Sequence, residues 1–137
     1  MLKSCKYCGR IHDSKLICKQ KKEAEERRWT NRKQSNASMF RRSNAWTNKS
    51  IDIRKRDNYM CACCKAELKG MIIRYNTHNL SVHHIIPINE DYNKRLDDDN
   101  LITVCDIHHE MCEAGEITRE QQIELVKIAN EDELCCY

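Results

Sequence analysis

The residues best suited to chemistry lie between Val82 and His109. The chain reads Val82-His83-His84-Ile85-Ile86-Pro87, then Asp99-Asn100-Leu101, then Cys105-Asp106-Ile107-His108-His109. Imidazoles bind divalent ions through their ring nitrogens, and they accept protons near neutral pH because their unperturbed pKa is about 6.5. A carboxamide such as Asn100 donates and accepts hydrogen bonds at once. Few arrangements need a paired histidine, an asparagine and a further histidine in that order.

Ten cysteines in 137 residues add a second kind of chemistry. Cys5-x-x-Cys8, Cys61-x-x-Cys64 and Cys105-x-x-His108 have the two-residue gap of a knuckle around tetrahedral zinc. With no signal peptide and no apolar run near the roughly 20 residues of a membrane span, the expectation is reduced thiols in a cytoplasm. A disulfide framework is the lesser reading, because disulfides are uncommon there. Cys5, Cys8, His12 and Cys18 make a four-ligand zinc candidate, with Gly9 allowing the tight turn after the first pair. His12 could equally be a surface residue.

The elements that must position these groups follow from pattern. Residues 1–22 read as an N-terminal zinc knuckle, residues 23–57 as a basic linker and helix, and residues 58–137 as the main domain. The mixed-charge run 19–35 is a linker or a solvated helix. Residues 36–57 read as a helix with Met39, Trp46 and Ile53 on one apolar stripe, widened by Phe40. Arg41, Arg42, Lys49, Arg54, Lys55 and Arg56 occupy its other faces. Gly70 marks a turn before a β-like run, Met71–Tyr75. Leu80–Ile86 reads as a strand ended by Pro87, residues 89–99 as an acidic loop, and Leu101–Val104 as a second strand. A helix is expected from Asp106 to Gly115. Thr118 then caps a last helix, with Gln121 at the capping-box position and Ile123, Val126 and Ile128 towards the body.

The net charge of +3 conceals an asymmetry. Residues 1–60 hold 17 Lys and Arg against 6 Asp and Glu, whereas residues 61–137 hold 7 against 15. A basic half of this kind is the electrostatic footprint of a nucleic-acid binder, and the basic helix faces are the candidate phosphate contacts.

From His83 to His109 the motif resembles the HNH endonucleases, and the chain as a whole is similar to small phage HNH proteins found beside the DNA-packaging terminase. The resemblance implies an α+β fold, a small zinc-stabilised domain with a ββα-metal finger. It places His83 and His109 as ligands of one catalytic divalent ion (Mg²⁺, Mn²⁺, Ni²⁺ or Zn²⁺), His84 as general base and Asn100 as the brace that orients it. It further implies a structural zinc held by Cys61, Cys64, Cys105 and His108, with Cys63 an alternative to Cys64. His108 stands where a cysteine is commoner, which leaves the division of roles between His108 and His109 open. Glu110 is a possible further metal or water contact. Adjacent residues on a regular strand point to opposite faces, so a bend before Pro87 is expected if His83 and His84 are to serve one phosphate.

The expected activity is metal-dependent hydrolysis of DNA to 5′-phosphate and 3′-hydroxyl ends, with weak sequence specificity. A monomer would nick, and a dimer would be needed for double-strand cutting. The terminase large subunit is the implied partner. The rival reading is a non-catalytic zinc-ribbon adaptor that binds DNA or protein. It explains the cysteine pairs and the charge but not the order His83, His84, Asn100.

Overall fold

The structure is a computed structural model describing residues 1–135, apart from the side chains of residues 33–35. Cys136 and Tyr137 lie outside the described residues. The chain divides into two compact units, Met1–Met39 and the remainder from Phe40.

In the first unit, β1 (Leu2–Ser4) and β2 (Ile11–Asp13) pair antiparallel, with Lys3 opposite His12. Gly9 makes their connection at φ +72°, in the left-handed region that favours glycine, and its N–H donates to Cys5 O at 2.8 Å. Helix α1 (Lys19–Arg41) follows. The mixed-charge run is therefore helical.

A single helix over 36–57 does not form. Arg42 and Ser43 separate α1 from α2 (Asn44–Arg56), and Ser43 is the N-cap. Its hydroxyl donates to Phe40 O at 2.6 Å and accepts from Trp46 N–H at 3.2 Å. This side chain offers the backbone a better partner than another helical turn. The break redistributes the expected stripe: Phe40 and Ile53 are buried, while Met39 is 67% exposed.

The rest of the second unit is built on a hairpin. After the short α3 (Ala62–Lys65), β3 (Leu80–His84) pairs antiparallel with β4 (Leu101–Cys105). His83 sits opposite Ile102 and His84 opposite Leu101. All five residues of β4 are buried, as suits a continuous apolar run covered on both faces. Helix α4 (Asp106–Glu113) follows directly, so β3, β4 and α4 form the ββα unit of an α+β domain. Two 3₁₀ turns, Tyr92–Lys94 and Asp98–Asn100, shape the loop between the strands.

Helix α5 (Arg119–Leu134) starts with the expected reciprocal cap between Thr118 and Gln121. Its buried face differs from the expected one. Val126 is buried, but Gln122 and Leu125 share its stripe, whereas Ile123 and Ile128 are exposed. The observed set follows the i, i+3, i+4 spacing of one helical face.

Met71–Tyr75 is irregular, not a strand, and Ile72 and Ile73 are exposed. β-propensity is realised only when a strand finds a packed, paired position, and this run pairs with no strand among the described residues.

A buried ion pair ties α2 to the hairpin. Arg56 Nε donates to Asp57 Oδ1 at 2.8 Å, and its terminal nitrogens donate to Asp98 O and Leu101 O. Asp57 Oδ2 in turn accepts from Thr103 N–H at 2.8 Å. Arg56 is therefore a buried structural residue rather than a member of the solvent-facing basic surface. Asp57→Ala leaves that guanidinium buried without its counter-charge. A loss of about 3–5 kcal/mol is expected, read as a lower denaturation midpoint. A midpoint equal to wild type would show that the two carbonyls suffice.

Candidate active site and zinc clusters

Cys61, Cys64, Cys105 and His108 converge in the interior. Cys61 is the N-cap of α3, and Cys105 ends β4 and caps α4. His108 lies one helical turn beyond Cys105. Its Nδ1 lies 3.4 Å from Cys61 Sγ, 3.4 Å from Cys64 Sγ and 3.3 Å from Cys105 Sγ. Three sulfurs around one ring nitrogen, all buried, are a donor set that fits tetrahedral zinc.

The opposite ring nitrogen supports this. His108 Nε2 lies 3.0 Å from Lys69 O, which can only accept, so Nε2 carries the proton and Nδ1 offers its lone pair to the cluster. Gly70 makes the approach possible. It adopts φ +90°, and a Cβ there would sit 2.9 Å from Met111 Sδ and 3.6 Å from His108 Nε2. Cys63 is buried but is not one of the four residues that gather, whereas Cys64 is. Cys112 is a packed thiol of the core.

In the first unit, Cys5, Cys8, His12 and Cys18 also gather, all four offering a ligand atom within 4.8 Å of one another. Cys5 Sγ lies 3.7 Å from Cys18 Sγ, and Cys8 Sγ lies 3.5 Å from His12 Nε2. His12 thus belongs to a thiol cluster and not to open surface. This donor set also fits zinc.

The histidine pair occupies an open cleft of about 780 Å³. Five consecutive residues, Ser81 to Ile85, line it. Trp46, Ser50 and Arg54 come from α2, Arg41 from the end of α1, and His109 and Glu113 from α4. His83 and His84 do point to opposite faces of β3. The His83 ring meets His109 at 4.9 Å, whereas His84 stacks on Trp46 at 4.7 Å. No bend is needed to bring them into one cleft. β3 is an edge strand, and the cleft takes in residues from both of its faces.

His83, His109 and Glu113 form a third donor set, with His109 Nε2 3.6 Å from Glu113 Oε1. Two imidazoles and a carboxylate suit a divalent ion, and the cleft beside them leaves space for further ligands. His108 and His109, though neighbours, project about 100° apart around α4, one into the buried cluster and the other into the cleft. Glu113 is a residue that the sequence reading missed. Glu110, the acidic residue singled out as a further contact, follows His109 by one, whereas Glu113 follows it by four, one helical turn on the same face. That spacing was the available signal. Arg119, also unforeseen, lines the cleft and is held by Glu90 through contacts of 2.9 and 2.6 Å. The guanidinium holds the Glu90 carboxyl below its usual range.

Burial holds His83 well below the ordinary histidine value, at about 4, with His109 and His84 adding to the effect. Burial also lowers His84, opposed by its hydrogen bond to Arg95 O at 3.0 Å. Since that carbonyl only accepts, His84 Nε2 carries the proton and Nδ1 remains a free base. Asn100 ties the surrounding backbone together. Its Oδ1 accepts from Ile86 N–H at 2.7 Å, and its Nδ2 donates to Ile86 O and Lys94 O at 3.1 Å each. It thereby joins the end of β3 to the loop whose Arg95 carbonyl holds His84.

Of the basic residues singled out on the helix, Arg41 and Arg54 line the cleft. Lys49 is paired with Asp98 at 2.7 Å, and Arg42 and Lys55 lie at the exposed surface. Among the described residues, no helix is long and apolar enough to cross a membrane.

Comparison with known proteins agrees with this geometry. The HNH endonuclease family model matches residues 61–112. A crystal structure of the HNH endonuclease of the deep-sea thermophilic bacteriophage GVE2, determined with manganese ion, is similar at 28% identity and a TM-score of 0.52. The likeness covers 69% of this chain and 92% of that one. No curated protein matches the chain. A ββα unit that brings His83, His84 and His109 to one cleft, with Asn100 tying the backbone beside it, within a segment matching that family, makes residues 61–112 an HNH endonuclease domain and the chain a nuclease hydrolase.

Proposed function

We propose that the chain is a metal-dependent DNA endonuclease that cleaves phosphodiesters to 5′-phosphate and 3′-hydroxyl ends. The observation that carries this reading is the placement of His84, with Nδ1 unprotonated, in the same cleft as His83, His109 and Glu113. His84 takes the proton from the attacking water, and the water oxygen forms the new bond to phosphorus as the bond to the 3′ oxygen breaks. His83, His109 and Glu113 would hold one divalent ion, which when bound neutralises charge developing on the phosphate and on the leaving oxygen. Manganese, present with the bacteriophage GVE2 relative, suits this donor set, as do Mg²⁺, Ni²⁺ and Zn²⁺.

Arg41 and Arg54 contact flanking phosphates. Both side chains line the cleft, and Arg54 is held there by the bond its Nη2 donates to Leu80 O at 3.4 Å. The two cysteine clusters hold structural zinc. Nicking is the activity of a single copy, and double-strand cutting requires two. Cytoplasmic action on phage DNA during packaging, with the terminase large subunit as partner, rests on the resemblance to packaging-associated phage proteins.

Supercoiled plasmid, incubated with lightly chelated protein and then with Mg²⁺, Mn²⁺ or Zn²⁺, tests the reading. Nicked product should appear only after a divalent ion is restored. DNA binding without cleavage under every ion would instead support the zinc-ribbon adaptor.

A further inference from the structure

We propose that Trp46 is the positioning residue of the general base, holding the His84 ring in the plane from which it works. This inference rests on the reading of His84 given above. Trp46 lies outside residues 61–112, so the site depends on a helix that the family model does not include.

His84 ends an edge strand, and among the described residues its ring makes one hydrogen bond, to Arg95 O. A single hydrogen bond fixes one ring atom but lets the plane pivot, because the torsion about an imidazole's Cβ–Cγ bond is broad. A flat neighbour removes that freedom. The Trp46 indole stacks on His84 with centroids 4.7 Å apart and planes within 26°. Phe40 meets His84 edge-on at 6.2 Å and lies tilted against Trp46 at 5.5 Å. Arg95, whose carbonyl holds the ring, lays its guanidinium 5.7 Å over Phe40 and 4.1 Å over Tyr92. The four groups close a circuit from indole to imidazole to Arg95 to Phe40 and back.

The local fold is arranged for this contact. On a continuous helix Phe40 and Trp46, six residues apart, would point about 120° away from each other. The break at Arg42–Ser43 brings them together, and Ser43 fixes the corner by bonding both Phe40 O and Trp46 N–H. The cap is therefore part of the site's support.

Steady-state cleavage by the full chain, with Trp46→Phe, Trp46→Leu and His84→Ala alongside wild type, tests the proposal. Trp46→Leu should lower kcat by about 10²-fold with KM nearly unchanged, since a misplaced base costs rate and not affinity. Trp46→Phe, which keeps a flat ring, should recover most of that loss. A second readout needs neither DNA nor the divalent ion. In NMR spectra of histidine-labelled protein, the His84 ring protons should be displaced upfield by the indole ring current, less so in Trp46→Phe, and not in Trp46→Leu.

Absence of that displacement in wild type overturns the proposal, whether or not Trp46→Leu folds. So does a Trp46→Leu protein that cleaves like wild type, or one whose loss lies wholly in KM. If His84→Ala cleaves normally, the reading of the base falls and this inference with it. If His84→Ala is inactive while Trp46→Leu is not, this inference alone falls.

Discussion

Replacing His84 by alanine should lower the cleavage rate by roughly 10²–10⁴-fold, the usual contribution of a positioned general base. The protein should remain folded. His84 contributes its ring to the cleft wall, its neighbours Trp46 and Phe40 keep their own tilted ring contact, and Arg95 O can accept from water once the ring is gone. Neither cysteine cluster contains it, so zinc content should be unchanged. The effect is then catalytic and separable from stability. Plasmid nicking, thermal melting and zinc content measured on one preparation distinguish the cases. Wild-type nicking by the alanine protein would move the base elsewhere in the cleft. Parallel loss of nicking and melting would reduce His84 to a packing role.

Loss of the buried zinc cluster should have the larger structural effect. Cys105→Ser, or exhaustive chelation, removes the point at which α3, the end of β4 and the start of α4 meet, with the Lys69 carbonyl attached through His108. Structural zinc binds such sites with an apparent free energy of about 10–16 kcal/mol. A whole domain is stable by only about 5–15 kcal/mol. The zinc-free second unit should therefore lose its cooperative melting transition, and cleavage should disappear with it. Cys8→Ser, in the other unit, should also cost one zinc equivalent but leave that transition in place. A Cys105→Ser protein that melts like wild type would mean that apolar packing alone holds the hairpin.

Much of this was legible in the sequence because it is encoded over short distances. Cys-x-x-Cys and Cys-x-x-His spacings, Thr118 with Gln121, and the apolar run ending at Pro87 state their local geometry within a few residues. The ββα unit and the grouping of Cys5, Cys8, His12 and Cys18 follow from such signals. The α+β class and the HNH domain were legible from the ordered motif between His83 and His109.

Other features depended on partners distant in sequence. Arg56 has Asp57 beside it in sequence, but its burial comes from the distant Asp98 and Leu101 carbonyls it bonds, while Arg54 lines the cleft. Met71–Tyr75 has the composition of a strand but no partner. Periodicity assigned Trp46 to a core stripe, whereas the break at Ser43 turned it onto His84. His83 and His84 serve one cleft because β3 is an edge strand, a property of topology that no residue pair reports. The sequence by itself determined which atoms can bind metal and move protons. Only the tertiary structure decided which of them meet, because that choice rests on which faces the helices leave open once their apolar sides are buried.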